Sequence, residues 1–184
     1  MKKATVFISL IFIISMLYPN EFSPEKAKKV NKYLTRIAQT RRKGVMLKRA
    51  YFTEDELNSY LNLIYTRRYS PEVKYIKLNL KKDNKVSGFL KVVLKGEKYS
   101  RLPAFLKNFE VDFEGKAEFE NYRMRFDFEN LKINGTSFSP EILDQAFSAA
   151  QTGYKVKKSM FDWFRLLPGI KNIKIDYKKL TLFY

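Results

Sequence analysis

The chain has 184 residues, of which 45% are apolar, 30% charged and 16% aromatic, and its 36 Lys and Arg against 19 Asp and Glu give a net charge of +17. Length and balance together suit one globular domain and exclude wholesale disorder, a collagen and a polytopic membrane protein. Histidine and cysteine are both absent, which removes the usual zinc sites, thiol nucleophiles, a Ser-His-Asp triad, haem attachment and any disulfide framework.

Lys2 and Lys3 precede an apolar run over residues 4–18 in which Ser9 and Ser15 are the clearly polar positions. A basic start and an apolar stretch of this length read as a secretory signal. The run is short for a membrane span, which takes about 20 residues. Ser15 and Leu17 substitute weakly for the small residues of a cleavage site, so residues 1–22 are expected to be a signal peptide or an uncleaved N-terminal anchor. Either places the protein in the periplasm or cell envelope, and a cysteine-free exported chain relies on its core.

A basic amphipathic helix follows over residues 23–50. Ser23 can cap it, Pro24 occupies its first position and Glu25 its first turn. Ala27, Val30, Tyr33, Leu34, Ile37 and Ala38 make its apolar stripe, and Gly44 is the expected stop. Residues 25–50 hold ten Lys and Arg and one acid. In the next helix Thr53 and Glu56 have the spacing of a capping box, with Phe52 and Leu57 placed for a hydrophobic staple. Leu57, Tyr60, Leu61, Ile64 and Tyr65 continue it at helical spacing, and Ser70-Pro71 closes it.

From Glu72 the apolar period changes to two. Ile76, Leu78 and Leu80, then Val86, Gly88, Leu90, Val92 and Leu94, share one face if a three-residue turn lies at Lys82-Asp83-Asn84. Leu102-Pro103-Ala104-Phe105-Leu106 is an apolar excursion. Three more runs read as strands, carrying Phe109, Val111 and Phe113, then Ala117 and Phe119, then Met124, Phe126 and Phe128. A turn at Asn121-Tyr122 pairs Glu120 with Arg123, Glu118 with Arg125 and Lys116 with Asp127. The same register opposes Glu114 to Glu129, so the ladder is expected to fray or bulge there. Leu131, Ile133 and Asn134-Gly135 end that strand.

Ser139-Pro140-Glu141 opens a third helix, with Ile142, Leu143, Ala146, Phe147 and Ala150 apolar and Gly153 as its stop. The tail holds Ile173, Ile175 and Tyr177, then Leu180, Leu182 and Tyr184, around a turn at Lys178-Lys179. These elements make an α+β domain with helices packed on one face of an antiparallel sheet.

The carboxylates at Glu110, Asp112, Glu114, Glu118 and Glu120 read as the solvated face of that sheet rather than a metal or acid/base site. Glu54-Asp55-Glu56 complement a helix N-terminus. No Gly-rich phosphate loop is present, and no convergent acid/base pair argues for an enzyme. The basic segments at 25–50 and 154–179 admit a solvating reading and a membrane-surface reading equally. Binding to nucleic acid stands behind both, because the aromatics alternate into a core and an export signal removes the chain from most nucleic acid.

Four stretches resemble the LmeA-like phospholipid-binding proteins of bacterial envelopes, within the wider tubular lipid-binding (TULIP-like) group. They are Thr53-Glu54-Asp55-Glu56-Leu57-Asn58-Ser59-Tyr60-Leu61; Val86-Ser87-Gly88; Ile133-Asn134-Gly135 with Ser139-Pro140-Glu141-Ile142-Leu143; and Leu167-Pro168-Gly169-Ile170-Lys171-Asn172-Ile173-Lys174-Ile175 with Leu180-Thr181-Leu182. Their order and spacing resemble that family over about residues 51–184. The resemblance implies a strongly curved antiparallel sheet wrapped around a long helix as a half-tube, and an apolar groove for acyl chains, without catalysis or cofactor. It implies lipid-facing roles for Leu57, Tyr60, Leu61, Ile142 and Leu143; Ile64 and Phe147 continue those helical stripes, and strand parity adds Leu90, Val92, Phe126 and Phe128. The lipid-acceptor cysteine of the lipoprotein members is missing here.

The expected function is therefore shielding of phospholipid or a related acyl lipid for envelope lipid transfer or homeostasis. Contact with an anionic membrane surface falls to Lys28, Lys29, Lys32, Arg36, Leu102, Phe105, Lys155, Lys157 and Lys158, and an envelope protein partner is left open. The alternative is an interaction module that has the same fold with a filled core and binds a protein or polyanion.

Overall fold

The computed structural model describes residues 21–39, 48–97, 107–142, 144–145 and 159–184. The apolar run 4–18, Gly44, the 102–106 excursion with Leu102 and Phe105, and Leu143, Phe147, Gly153, Lys155, Lys157 and Lys158 lie outside the described residues.

Helix α1 (Pro24–Gln39) starts as its sequence suggests: the Ser23 hydroxyl accepts the Lys26 N–H at 3.3 Å. Ala27, Val30 and Ile37 are each 1% exposed, whereas Ala38, at the margin of the stripe, is exposed. Strand β1 (Arg49–Thr53) follows, an element that the sequence reading did not anticipate in a basic stretch. Tyr51 is exposed while Ala50 and Phe52 are buried, so its period is two.

Helix α2 (Glu54–Tyr60) carries the complete capping box. Thr53 accepts from the Glu56 N–H, and the Glu56 carboxylate accepts from the Thr53 N–H. The helix runs on through a wider π turn (Leu61–Tyr65) into α3 (Thr66–Tyr69).

Strands β2 (Val73–Leu80), β3 (Lys85–Val93), β4 (Asn108–Glu120), β5 (Arg123–Ile133), β6 (Thr136–Ser137) and β7 (Phe164–Arg165) form a large antiparallel sheet, ordered β2-β3-β4-β5-β6 with β7 also on β5. Leu80 pairs with Val86 around Lys82-Asp83-Asn84, the three-residue turn that parity requires. Glu120 pairs with Arg123, Glu118 with Arg125 and Lys116 with Asp127. Asn121 and Tyr122 both take positive φ there, 47° and 62°, as a two-residue hairpin turn demands. Glu114 pairs with Asn130 and Gly115 with Phe128, so Glu129 bulges out of the ladder. A Cβ on Gly115 would strike the Asp127 carbonyl. The bulge relieves the opposition of Glu114 and Glu129 and lets the two expected runs over 109–120 continue as one strand.

The single sheet expected from sequence is in fact two. Strands β8 (Asn172–Asp176) and β9 (Lys179–Phe183) join β1 in a smaller sheet ordered β1-β9-β8. The closing turn is Tyr177-Lys178, not Lys178-Lys179, because Asp176 pairs with Lys179. Both registers keep the same side chains on one face, so periodicity does not separate them. Backbone bonds decide: Lys178 N–H donates to Leu80 O and Glu54 N–H donates to Lys178 O, each at 3.0 Å, clamping this turn between helix and sheet.

Val30 and Ile37 of α1 meet Ala50, Phe52, Leu166, Ile170 and Leu182 in one buried cluster. Leu80, Val86, Ala117 and Ile175 form the second. Leu57, Phe119, Ile173 and Leu180 pack against both, so the two join in one core between the sheets. Gly169, with φ of 93°, lies so close to Ile37 that an added Cβ would meet its carbonyl at 2.5 Å. The segment before β8 thus closes over α1.

Candidate functional site

Strand β2 is an edge strand, and a line of helix side chains seals its free side. Glu54 accepts from the Leu80 N–H at 2.6 Å. The Asn58 amide accepts from the Leu78 N–H at 2.8 Å and donates to the Leu78 carbonyl at 2.9 Å. Asn62 repeats the pattern on Ile76, at 3.0 and 2.6 Å. Positions four apart on a helix are separated by about 6 Å and alternate strand positions by about 6.7 Å, so each helical step matches one strand repeat. The helix stands where a further strand would stand. Leu57, Leu61 and Ile64 occupy another side of it at helical spacing, all half-buried.

The register sets apolar rows on one face of the large sheet. Ile76, Leu90, Val111 and Ile133 make one row. Leu78, Gly88, Phe113 and Leu131 make the next. Gly88 leaves the space that the Phe113 ring fills. Phe113, Phe126 and Phe128 meet edge to face, with centroids 4.8–6.4 Å apart.

This face changes character along its length. Toward the smaller sheet it ends in the buried Leu80, Val86 and Ala117. Toward the other end Ile76, Leu90, Val92 and Val111 are half-buried. Phe126 and Phe128 belong to the first end, whereas Leu90 and Val92 lie roughly 13 to 27 Å further along the strands. Of the expected lipid-facing residues, the structure thus brings Leu57, Tyr60, Leu61 and Ile64 onto one helix, and Leu90, Val92, Phe126 and Phe128 onto one sheet face. Ile142, in the helical turn that begins at Pro140, stands apart and 60% exposed.

The opposite face is ionic. Lys91 bonds Glu110 at 3.0 Å, Lys81 bonds Glu114 at 2.6 Å and Arg125 bonds Glu118 at 2.7 Å. The Lys81 ammonium holds the Glu114 carboxyl below its ordinary range. Glu129, expelled by the bulge, reaches Lys85 at 2.9 Å. Among the described residues, no acidic cluster is placed to hold a metal ion.

On α1, Lys28, Lys32 and Arg36 are exposed along the outer side, where they line a depression of about 390 Å³ with Glu25, Lys29 and Tyr33. Lys29 is bonded to Glu56 at 2.6 Å and Lys26 to Asp55 at 3.2 Å. The apolar stripe of α1 is the part of the helix buried in the core, so any surface contact by α1 falls to its basic side. Basic residues remain at its surface.

Sequence reasoning did not mark Asn58 and Asn62, whose only signal was polarity inside an amphipathic helix. It also passed over a clasp at Glu21. That carboxylate accepts from the Tyr75 hydroxyl at 2.7 Å and from Lys77 at 3.0 Å, which lowers its pKa. Burial and the Glu21 bond raise that of Tyr75. Among the described residues, no helix is long and apolar enough to cross a membrane. Comparison of the chain with protein-family models, curated proteins and solved structures gives no match, so the family resemblance rests on the sequence segments themselves.

Proposed function

We propose that this is an exported, non-catalytic lipid-binding protein of the bacterial envelope. In this reading the large sheet curves as a half-tube along the helix, and acyl chains of phospholipid or a related lipid lie between Leu57, Leu61 and Ile64 and the face bearing Leu90, Val92 and Phe128. The observation that carries it is the apolar face that continues beyond the core: Leu80, Val86 and Ala117 are closed, while Ile76, Leu90, Val92 and Val111 keep accessible surface. Each methylene moved out of water there contributes about 0.8 kcal/mol, so burial of a chain of ordinary length offsets much of the cost of association without specific polar contacts. The resemblance to LmeA-like proteins and the signal-like run at 4–18 support the same reading.

Native mass spectrometry of protein purified without detergent tests it. A lipid adduct is expected, lost in Leu90→Asp while the circular dichroism spectrum is kept. An adduct-free wild type that takes up no added phospholipid overturns the proposal. The Phe113, Phe126 and Phe128 rings, which fill part of the face, favour the second reading, an interaction module for a protein or polyanion. Polyanion binding would collapse with rising salt, whereas acyl burial would persist.

A further inference from the structure

We infer that Tyr65, Arg67, Arg68, Tyr69 and Lys74 form a docking patch that sets the open end of the apolar face against an anionic bilayer. The inference rests on the lipid-binding proposal for its purpose, but not for its test.

Two independent observations carry it. The first is composition at one place in the fold. Tyr65 and Tyr69 are 40% and 59% exposed, with ring centroids 5.5 Å apart, and the Arg68 guanidinium lies 5.4 Å from the Tyr69 ring. Arg67, Arg68, Lys74 and Lys95 are exposed at this end, against the acids Glu72 and Glu97. Exposed tyrosines beside basic groups suit the headgroup layer, where a ring is partly dehydrated, its hydroxyl stays wet and cations meet lipid phosphates. The patch adjoins the open end of the face, since Val73 pairs with Val92 and Val93 N–H donates to Glu72 O.

The second observation is where the chain enters the domain. Glu21 is held by Tyr75 and Lys77, the Phe22 ring lies 5.7 Å from the Tyr75 ring, and Ser23 N–H donates to the Ser59 hydroxyl. The apolar run ends three positions before Glu21, and three residues of chain span about 11 Å at most. A bilayer that takes up residues 4–18 therefore passes beside Tyr75, whose chain neighbour is Lys74. Charge and connectivity choose the same end of the large sheet.

Because the chain is free of cysteine, one introduced thiol can carry a polarity-sensitive dye. The full chain is reconstituted into phosphatidylcholine vesicles with and without phosphatidylglycerol, labelled at Pro71→Cys in the turn after α3 or at Tyr177→Cys in the distant β8–β9 turn. The expected result is a blue shift at position 71 that needs phosphatidylglycerol and is reduced about tenfold or more by R67E/R68E, while position 177 keeps its aqueous emission. Aqueous emission at position 71 in anionic vesicles overturns the inference. So does a shift that survives R67E/R68E, or one produced by a soluble polyanion and not by vesicles. A shift at position 71 together with no lipid adduct in native mass spectrometry supports the patch and overturns acyl shielding alone.

Discussion

Asn58 and Asn62 show how much a polar residue can do on an apolar-looking helix. Each amide both donates to and accepts from one β2 residue, the way a neighbouring strand would. Asn58→Ala leaves the Leu78 N–H and carbonyl without these partners in a partly buried setting, so a loss of about 2–3 kcal/mol is expected. The urea midpoint should fall while the m-value stays the same. Glu21 makes a pH-dependent contribution. Its carboxyl titrates below the ordinary value of 4.5 when the chain is folded, because Tyr75 and Lys77 bond its charged form. The clasp therefore adds stability above the unfolded value, and that stability is lost as pH falls through the lower folded one. Urea midpoints of wild type and Glu21→Gln should differ near neutral pH and converge in acid; a gap that widens in acid would contradict this sign. Neither residue is legible beforehand, because the partner of each becomes adjacent only in the folded chain.

Among elements, those defined by neighbouring residues were legible. The capping box, the three-residue turn, the Glu118–Arg125 register and the bulge opposite Glu114 all follow from spacing and charge within one hairpin or helix start. Helix α1 was legible as a helix and not as a core element, since an amphipathic stripe suits a bilayer surface and a protein interior equally. Its packing is testable. Ile37 is 1% exposed and touches the backbone near Gly169, so Ile37→Ala should cost about 2–5 kcal/mol. In a chain of this size that lowers the thermal midpoint by around 10 °C. An unchanged midpoint would mean that α1 is detachable after all. The candidate site divides the same way. The face bearing Leu90, Val92, Phe126 and Phe128 follows from strand parity, whereas the exposure of Ile142 depends on tertiary placement that parity does not encode.

For the molecule as a whole, alternation identifies strands without saying which sheet they join. That partition depends on Ala50 meeting Leu182 and Phe52 meeting Leu180, pairs about 130 residues apart in sequence. Strand β1 was hidden among basic residues because its alternation is short and its partner remote. The arrangement has a consequence for how the protein comes into being. Strand β9 is the middle one of its sheet, and Lys48 and Tyr184 bond each other in both directions at its margin. Without β9, β1 and β8 have nothing between them and Phe52 lacks Leu180 opposite it. The smaller sheet therefore closes only when strands about 130 residues apart in sequence have met, a long loop closure that makes it slow to assemble.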